Sequence, residues 1–367
     1  MVALNPIRGF NPNWSTHPGE HLDEYLELNG WSQAEFARRA GLTPKLVSDI
    51  LNGKNPVTPD TAMKLERVLG LKAEIWLSLQ SSWDLFQARE KERAPAPETK
   101  SWLSNFPIKE LKARKLLPEA SDEGELLNAL LKLFGIGTPA AYQSKLSSLA
   151  VQHRQSKAHI SLPDHVFTWL MLGELEARKR DMPMFDLASF TEVVREIRGL
   201  TREVPEVFEP RMKMLCRQAG VALVLVKPLG EIRLFGSARW IDGNQRAIIQ
   251  MSLRMKTNDH FWWTFFHECG HIALHRGMTF ADDPVASDDD HEKESDDWAH
   301  RLLYGHNRLP DILARQPRSE SAVRKLADEL DLHPGILVGM LQHHDVLPYK
   351  NLNHLKAKFQ WKDESGA

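Results

Sequence analysis

Apolar residues near the front of the chain recur at the spacing of short α-helices. A first helical pattern follows Ser32, which can cap it, and Glu35 three residues later completes a capping box. Gly41 interrupts this pattern, and a second one begins at Pro44. The apolar positions of the two patterns are Phe36, Ala37, Ala40, Leu46, Val47, Ile50 and Leu51. We therefore predict two short helices joined by a glycine turn.

The pattern of apolar positions changes farther along the chain. Residues 101–200 keep a helical period, whereas three short apolar runs at residues 221–226, 234–235 and 247–251 are typical of strands. A helical segment follows at residues 259–275. We expect an α+β, mostly helical protein, with an all-α front, a helical middle region and a small β-sheet with helices at the back.

A chain of 367 residues is long enough for two or three domains. The best candidate for a linker is residues 91–100, where charges and two prolines replace the apolar period. We predict an N-terminal domain, this linker, the helical middle region, a domain that contains the sheet, and a C-terminal helical extension that packs on that domain. Their bounds are 1–90, 91–100, 101–200, 201–310 and 311–367.

Composition excludes several classes of protein. Lys and Arg number 47 against 49 Asp and Glu, so the chain is neither a basic nucleic-acid coat nor an acidic disordered tail. The two cysteines, Cys216 and Cys269, exclude a disulfide framework and favour a reducing compartment. No apolar run approaches the roughly 20 residues that span a bilayer. We therefore expect a soluble, cytoplasmic protein with no membrane partner.

The second front helix leaves polar residues exposed. Thr43 can cap it, Lys45 and Ser48 lie opposite its apolar face, and Asn52 and Lys54 follow its end. A recognition helix in a major groove needs such a face, with a basic residue beyond it for phosphate. Acidic residues slightly outnumber basic ones in residues 1–90, however, so a helical hairpin without a nucleic-acid role stays open.

The pentapeptide His267-Glu268-Cys269-Gly270-His271 carries the most specific chemistry in the chain. Histidines at i and i+4 of a helix share one face and can bind one Zn²⁺. A glutamate beside that face can act as the general base for an attacking water molecule. Because a third ligand is required, the pentapeptide alone is only suggestive.

Candidates for the third ligand lie about 20 residues on. Glu292 and Asp296 are four residues apart and share a helix face, so Glu292 can close the metal site while Asp296 holds the outer N–H of a ligand histidine. Glu294 points away from the face that Glu292 and Asp296 share, so it is the less favoured ligand. Most of the acidic run from residue 282 to residue 290 fits a solvated loop instead.

Two neighbouring features allow more than one interpretation. His275 lies one turn beyond His271, where a core histidine or one that supports a ligand is favoured over a surrogate ligand. Residues 237–240 are either an edge strand that pairs with an extended substrate or an interior strand with Arg239 in solvent. We interpret Cys216 and Cys269 as packing residues.

The front of the chain resembles the HigA-type antitoxins of the Cro/C1 helix-turn-helix superfamily over about residues 14–90. The matching segments are His17-Pro18-Gly19-Glu20, Trp31-Ser32-Gln33, Leu51-Asn52-Gly53-Lys54 and Ile75-Trp76-Leu77-Ser78-Leu79-Gln80. The resemblance implies a homodimer that represses its own operon by binding a palindromic operator. It also implies that Gln33 contacts a phosphate and that Lys45 and Ser48 face bases. The candidate DNA-binding residues are Gln33, Thr43, Lys45, Ser48, Asn52 and Lys54.

The back of the chain resembles the ImmA/IrrE metallopeptidases over about residues 200–310. The matching segments are Thr264-Phe265-Phe266-His267-Glu268-Cys269-Gly270-His271 and Glu292-Lys293-Glu294-Ser295-Asp296-Asp297-Trp298-Ala299. The resemblance implies a zincin-like fold in which His267, His271 and Glu292 bind Zn²⁺ and Glu268 is the catalytic base. Members cleave phage or stress-response repressors. Departures at Ser295, Trp298 and Gly305 change the packing and put the fit of the substrate in doubt.

Taken together, these features predict a DNA-binding regulator that carries a zinc metalloendopeptidase. Its expected partners are double-stranded operator DNA and a protein substrate or cognate toxin. In the alternative, the peptidase-like domain does not catalyse hydrolysis but binds a ligand or toxin and thereby controls operator binding. The intact Glu268 favours the enzyme, because a sensor alone would not need a base.

Overall fold

The computed structural model describes residues 14–93, 97–119, 122–152, 163–179, 181–230, 232–281 and 290–362. Within these ranges the chain is mostly helical with one small sheet, which confirms the predicted α+β class. The chain divides into two compact units. The first comprises Met1–Lys100 and Ala120–Leu127, and the second comprises Ser101–Glu119 and Asn128–Ala367.

Five helices build most of the first unit. They are α1 (Pro18–Asn29), α2 (Gln33–Ala40), α3 (Pro44–Leu51), α4 (Pro59–Leu69) and α5 (Ala73–Arg93). Their apolar faces enclose a core of Leu22, Leu26, Phe36, Ala37, Ala40, Val47, Ile50, Val57, Ala62, Leu65 and Trp76.

The turn between α2 and α3 follows the predicted signals closely. Ser32 Oγ accepts the Glu35 backbone N–H at 3.2 Å, and Gly41 ends α2 with a φ of 61°. The predicted capping box forms only by half, because the Glu35 carboxylate accepts hydrogen bonds from the guanidinium of Arg39 instead. Thr43 Oγ1 caps α3 by accepting the Leu46 N–H at 3.1 Å.

The remaining helices are α6 (Pro97–Leu103), α7 (Ile108–Ala113), α8 (Glu123–Phe134), α9 (Pro139–Gln152), α10 (Pro163–Arg178), α11 (Leu187–Arg198), α12 (Pro205–Gln218), α13 (Asn258–Leu274), α14 (Asp290–Tyr304), α15 (Arg308–Ala314), α16 (Glu320–Leu330) and α17 (Pro334–His343). Short 3₁₀ helices occupy Gly199–Arg202 and Asn353–Leu355. The strands are β1 (Val221–Leu225), β2 (Gly236–Ile241), β3 (Arg246–Met251) and β4 (Phe280–Ala281).

The predicted linker at residues 91–100 is helical where the structure describes it. Its first three residues end α5 and its last four begin α6, while residues 94–96 lie outside the described ranges. One hydrophobic core extends from Phe190 to Phe359 and joins the sheet, α13 and the C-terminal helices. The bounds predicted at residues 200 and 310 therefore fall inside a shared core.

The sheet has the strand order β1-β3-β2-β4, with β1 parallel to β3 and the other pairs antiparallel. The strand predicted at residues 234–235 is wrong, because β2 begins at Gly236. The edge-strand interpretation of residues 237–240 is wrong for Ser237 and Ala238, since there β2 pairs with β3 on one side and β4 on the other. Arg239 is not in solvent: it is 2% exposed and donates to the Leu170 carbonyl of α10.

One face of the sheet packs against α13, which is buried over most of its length. On its other sides α13 contacts α11, α14 and α17, so the pentapeptide from His267 to His271 lies on the central helix of the second unit. None of the helices in the described ranges combines the length and hydrophobicity that crossing a membrane would require.

Candidate metal centre and candidate nucleic-acid interface

Two histidines of α13 face α14 one helical turn apart. The close approach of these two helices depends on Gly270, because a Cβ atom at that position would lie 3.0 Å from the Cα of Ser295. This approach brings Glu292, in the first turn of α14, to the imidazoles of His267 and His271.

The three side chains converge through one atom each. His267 Nε2 lies 3.0 Å from His271 Nε2 and 3.0 Å from Glu292 Oε2, and His271 Nε2 lies 3.4 Å from the same oxygen. Donor atoms that share a tetrahedral zinc ion at 2.0–2.1 Å are separated by about 3.4 Å, so these residues fit Zn²⁺. Two histidines and one carboxylate leave a fourth ligand position for water or substrate, as in catalytic zinc sites.

Further residues orient the two imidazoles. Asp296 Oδ1 lies 2.8 Å from His267 Nδ1, where the sequence predicts it. The Nδ1 atom of His271 lies 3.0 Å from Ser295 Oγ and 3.2 Å from His275 Nδ1. Ser295 was interpreted as a packing residue, and its contact with His271 was missed. The available signal was its spacing, because position 295 follows position 292 by three residues on the same helix.

His275 occupies a supporting position and is not among the converging residues. Its Nε2 atom lies 2.8 Å from Glu294 Oε2, so Glu294 contacts the histidine cluster without being one of the converging residues. His275 itself is 6% exposed. Such a chain of imidazole and carboxylate contacts fixes ring orientation around a metal site.

The electrostatics of the site favour the protonation states that a metal requires. Burial lowers the pKa of His271 to about 4, so its imidazole is neutral at pH 7. Burial alone would raise the pKa of Glu292, but hydrogen bonds from His267 and His271 outweigh it and hold that pKa well below its usual range. A neutral imidazole and an ionised carboxylate are the ligand forms that bind zinc.

Glu268 is fully buried on the side of α13 that faces the sheet. Its carboxylate lies against the backbone of Gly236, the first residue of β2, and near the methyl group of Thr264. The space that the carboxylate occupies therefore exists because position 236 has no side chain. Gly236 was predicted only as a separator between strands.

Both cysteines are fully buried, and neither is among the converging residues of the described part of the chain. Burial raises the pKa of the Cys269 thiol well above its usual value, so it remains protonated and inert. The structure agrees with their interpretation as packing residues.

The candidate DNA-binding residues lie on the surface of α2, α3 and the following turn. Gln33, Thr43, Lys45, Asn52 and Lys54 are exposed, and Ser48 is half-buried. Some polar atoms of this surface already have hydrogen-bond or ion-pair partners within the same domain.

Three of these candidates have contacts within their own helix. Thr43 caps α3, and Asn52 Nδ2 donates to the Ser48 carbonyl at 2.7 Å. Lys45 and Lys54, by contrast, have exposed side chains, so their charges are available to DNA. Arg39 stacks on Trp31 at 4.5 Å in addition to its pairing with Glu35.

Comparisons with known proteins match this first unit. Residues 22–76 match the model of the helix-turn-helix family HTH_3. The uncharacterized HTH-type transcriptional regulator YddM of Escherichia coli is 38% identical over 73 residues, which are 20% of this chain and 78% of that protein. Antitoxin HigA-1 of Vibrio cholerae is 35% identical over 74 residues, which are 20% of this chain and 70% of that protein.

A similar solved structure is that of the Pseudomonas aeruginosa antitoxin HigA with the higBA promoter. The similarity covers 23% of this chain and 98% of the antitoxin chain, with 31% sequence identity and a TM-score of 0.21. Together with the helix-turn-helix geometry of α2 and α3, the matches to the family model and to YddM mean that this chain belongs, through its N-terminal domain, to the helix-turn-helix family HTH_3.

Proposed function

We propose that this protein is a cytoplasmic, dimeric transcriptional regulator that also acts as a zinc-dependent peptidase on a partner protein. The observation that carries the peptidase is the convergence of His267, His271 and Glu292, with the buried carboxylate of Glu268 on the same helix as the two histidines. The regulator rests on the helix-turn-helix domain and on its likeness to proteins named as a transcriptional regulator and an antitoxin.

The DNA-binding activity follows from the exposed edge of α3. Lys45 lies near the start of that helix, where it can face the bases of a major groove, and Lys54 follows its end, where it can contact a phosphate. Two copies of the domain would read the two halves of a palindromic operator, because the symmetry of a dimer matches that of the DNA.

In the proposed peptidase, each polar residue of the site has a separate role. When bound, Zn²⁺ would polarise the scissile carbonyl and acidify the attacking water. Glu268 takes the proton from that water and returns it to the departing amine nitrogen. Asp296 holds the ring of His267, and Ser295 holds the ring of His271, so that both Nε2 atoms face Glu292.

The first test is the zinc content of the purified full-length protein, followed by a search for its substrate. Wild-type protein and a Glu268→Gln variant would each be incubated with a lysate of the host, and new protein N-termini would be identified by mass spectrometry. We expect about one zinc per chain in both proteins and new N-termini with wild type alone.

The same experiment separates the alternatives. Absence of zinc from the purified protein, even after metal is added back, would contradict the proposed peptidase activity. One zinc per chain without new N-termini would favour the non-catalytic sensor or antitoxin, in which the second unit binds a ligand or toxin and controls the operator.

A further inference from the structure

A cavity of about 150 Å³ lies beside the metal centre, between α13, α14 and α17. Trp263 forms its boundary with the metal site, because its indole lies 6.4 Å from the ring of His267 and 4.7 Å from the ring of His300. His300 lies one turn after Asp296 on α14. The cavity is therefore built on the two helices that carry the metal-binding residues, although none of the three converging residues lines it.

The walls of the cavity are mostly flat rings and apolar side chains. Trp263, His300 and Tyr304 form one side, and Ile336 and Met340 of α17 form the other. A cavity of this volume accommodates a single benzene-sized ring. The size and the walls together indicate an aromatic ligand with one ring.

Two of the residues that line the cavity each carry a buried polar atom with no hydrogen-bond partner among the described residues. One is Oδ1 of Asp259, a residue that is 5% exposed and whose Oδ2 is paired with Lys356 at 2.6 Å. The other is Nε2 of His344. A buried polar atom without a partner destabilises a protein, so such atoms mark a place where a ligand can complete the hydrogen bonding.

The charges around the cavity favour a neutral ligand. Lys356 already balances Asp259, and burial lowers the pKa of His260, His300 and His344, so these imidazoles are uncharged at pH 7. A ligand with a full charge would lose its hydration without gaining an opposite charge in return. A hydroxyl group on the ring, by contrast, can donate to Asp259 and accept from His344.

We propose that this cavity is a binding site for a phenol-type ring, with the hydroxyl group directed at Asp259 and His344. Two sources share this chemistry: a free phenolic small molecule and the side chain of a tyrosine in a bound peptide. The proposal concerns binding and stands whether or not the second unit hydrolyses peptides.

The test compares phenol with toluene, which has the same shape but no hydroxyl group, by saturation-transfer NMR on the zinc-loaded full-length protein. We expect phenol to bind with a dissociation constant on the order of 1 mM, as its few atoms allow. Toluene should bind about threefold to tenfold more weakly, because it leaves both buried polar atoms without partners.

Two variants and a control locate the binding. Met340→Trp fills the cavity and should abolish the phenol signal, while His344→Phe should reduce the preference for phenol over toluene. His306→Phe, an exposed histidine outside the cavity, should change neither. Equal affinity for phenol and toluene, or phenol binding that survives Met340→Trp in a folded protein, would overturn the proposal.

A second comparison distinguishes the two sources. The tripeptide acetyl-Ala-Tyr-Ala-amide would be titrated beside acetyl-Ala-Phe-Ala-amide under the same conditions. If the tyrosine peptide binds at least tenfold more tightly than phenol and the phenylalanine peptide does not, the cavity receives a peptide side chain. If phenol binds and both peptides are excluded, the ligand is a free small molecule.

Discussion

A methyl group at Gly236 would lie 2.3 Å from Oε1 of Glu268, so the first residue of β2 and the proposed base on α13 occupy adjoining space. A contact this short cannot form without a shift. We predict that Gly236→Ala displaces the Glu268 carboxylate and lowers peptide hydrolysis to the level of Glu268→Gln. Zinc content should stay near one per chain, because the three converging residues are not involved.

The matched control for this substitution is Gly199→Ala. Gly199 has a φ of −62°, and a Cβ there meets no other atom within 4 Å. Both variants would be assayed for zinc by elemental analysis and for the appearance of new N-termini. Full hydrolysis in Gly236→Ala would show that Glu268 does not need its present position.

The two glutamates of α14 provide a sharp test of the metal site. Glu292 meets both Nε2 atoms, whereas Glu294 contacts His275. We expect Glu292→Ala to lose zinc and Glu294→Ala to retain about one zinc per chain. Elemental analysis after dialysis against zinc-free buffer measures the difference. Equal zinc loss in the two variants would argue against Glu292 as the third ligand.

Asp296 is expected to tune the affinity of the site without binding the metal. Replacing it by Ala removes the carboxylate that lies 2.8 Å from His267 Nδ1, and loss of such a partner weakens metal binding about 10–100-fold. Competition with a fluorescent chelator measures the affinity. Asp297→Ala, one residue away and exposed, serves as the control and should leave the affinity unchanged.

The zinc-free protein should lose stability in mild acid. The pKa of His271 is about 4 in the folded chain, against about 6.5 in an unfolded one, so the unfolded chain binds more protons between these values. The contribution is complete above pH 6.5 and is lost as the pH falls toward 4. From pH 7.5 to pH 5.5 we expect His271 alone to account for a loss of about 1 kcal/mol in the free energy of unfolding, and the lowered pKa values of His260, His300 and His344 add to this loss.

Urea unfolding in the presence of a chelator measures this slope. The depressed pKa of Glu292 acts in the same direction, but only below its ordinary value of 4.5, outside this window. A His271→Asn variant should unfold with a smaller pH dependence. The same dependence in wild type and variant would show that another group is responsible.

Operator binding should depend on the cations of α3 and its following turn. Lys54→Ala is expected to reduce the salt dependence of binding by about one unit of slope, because it removes one phosphate contact, whereas Lys45→Ala should relax sequence specificity, because that side chain is expected to face bases. Gel-shift titrations with DNA from upstream of the gene, at several salt concentrations, measure that slope. Lys72→Ala is the control, since Lys72 is exposed but lies at the start of α5.

The parts of the structure that local spacing determines could be predicted from the sequence. His267 and His271 lie on one face of a helix, and so do Glu292 and Asp296, because four residues make about one helical turn. The cap at Thr43 is local in the same way, because its hydroxyl group accepts the backbone N–H of Leu46, three residues later. The pairing of the two helices was inferred from chemistry, since only a third ligand completes a zinc site.

The parts that depend on distant segments could not be predicted. Spacing places Ser295 near the helix face of Glu292, but its contact with His271 also requires the close approach of two helices at Gly270, which spacing within α14 does not reveal. Arg239 is buried because α10, some 69 residues earlier, covers it and accepts its hydrogen bond. Gly236 was interpreted as a break because glycine usually interrupts a strand, whereas here it makes room for a carboxylate.

The shared core of α13 and α17 has a consequence for the choice of protein fragments to express. The helix that carries His267 and His271 is covered on one side by Ile336, Leu337 and their neighbours, which come from the last third of the second unit. A fragment ending at residue 310 would expose this apolar surface to water and would be expected to aggregate. An expression fragment that keeps the helix of His267 and His271 covered should therefore extend past Phe359.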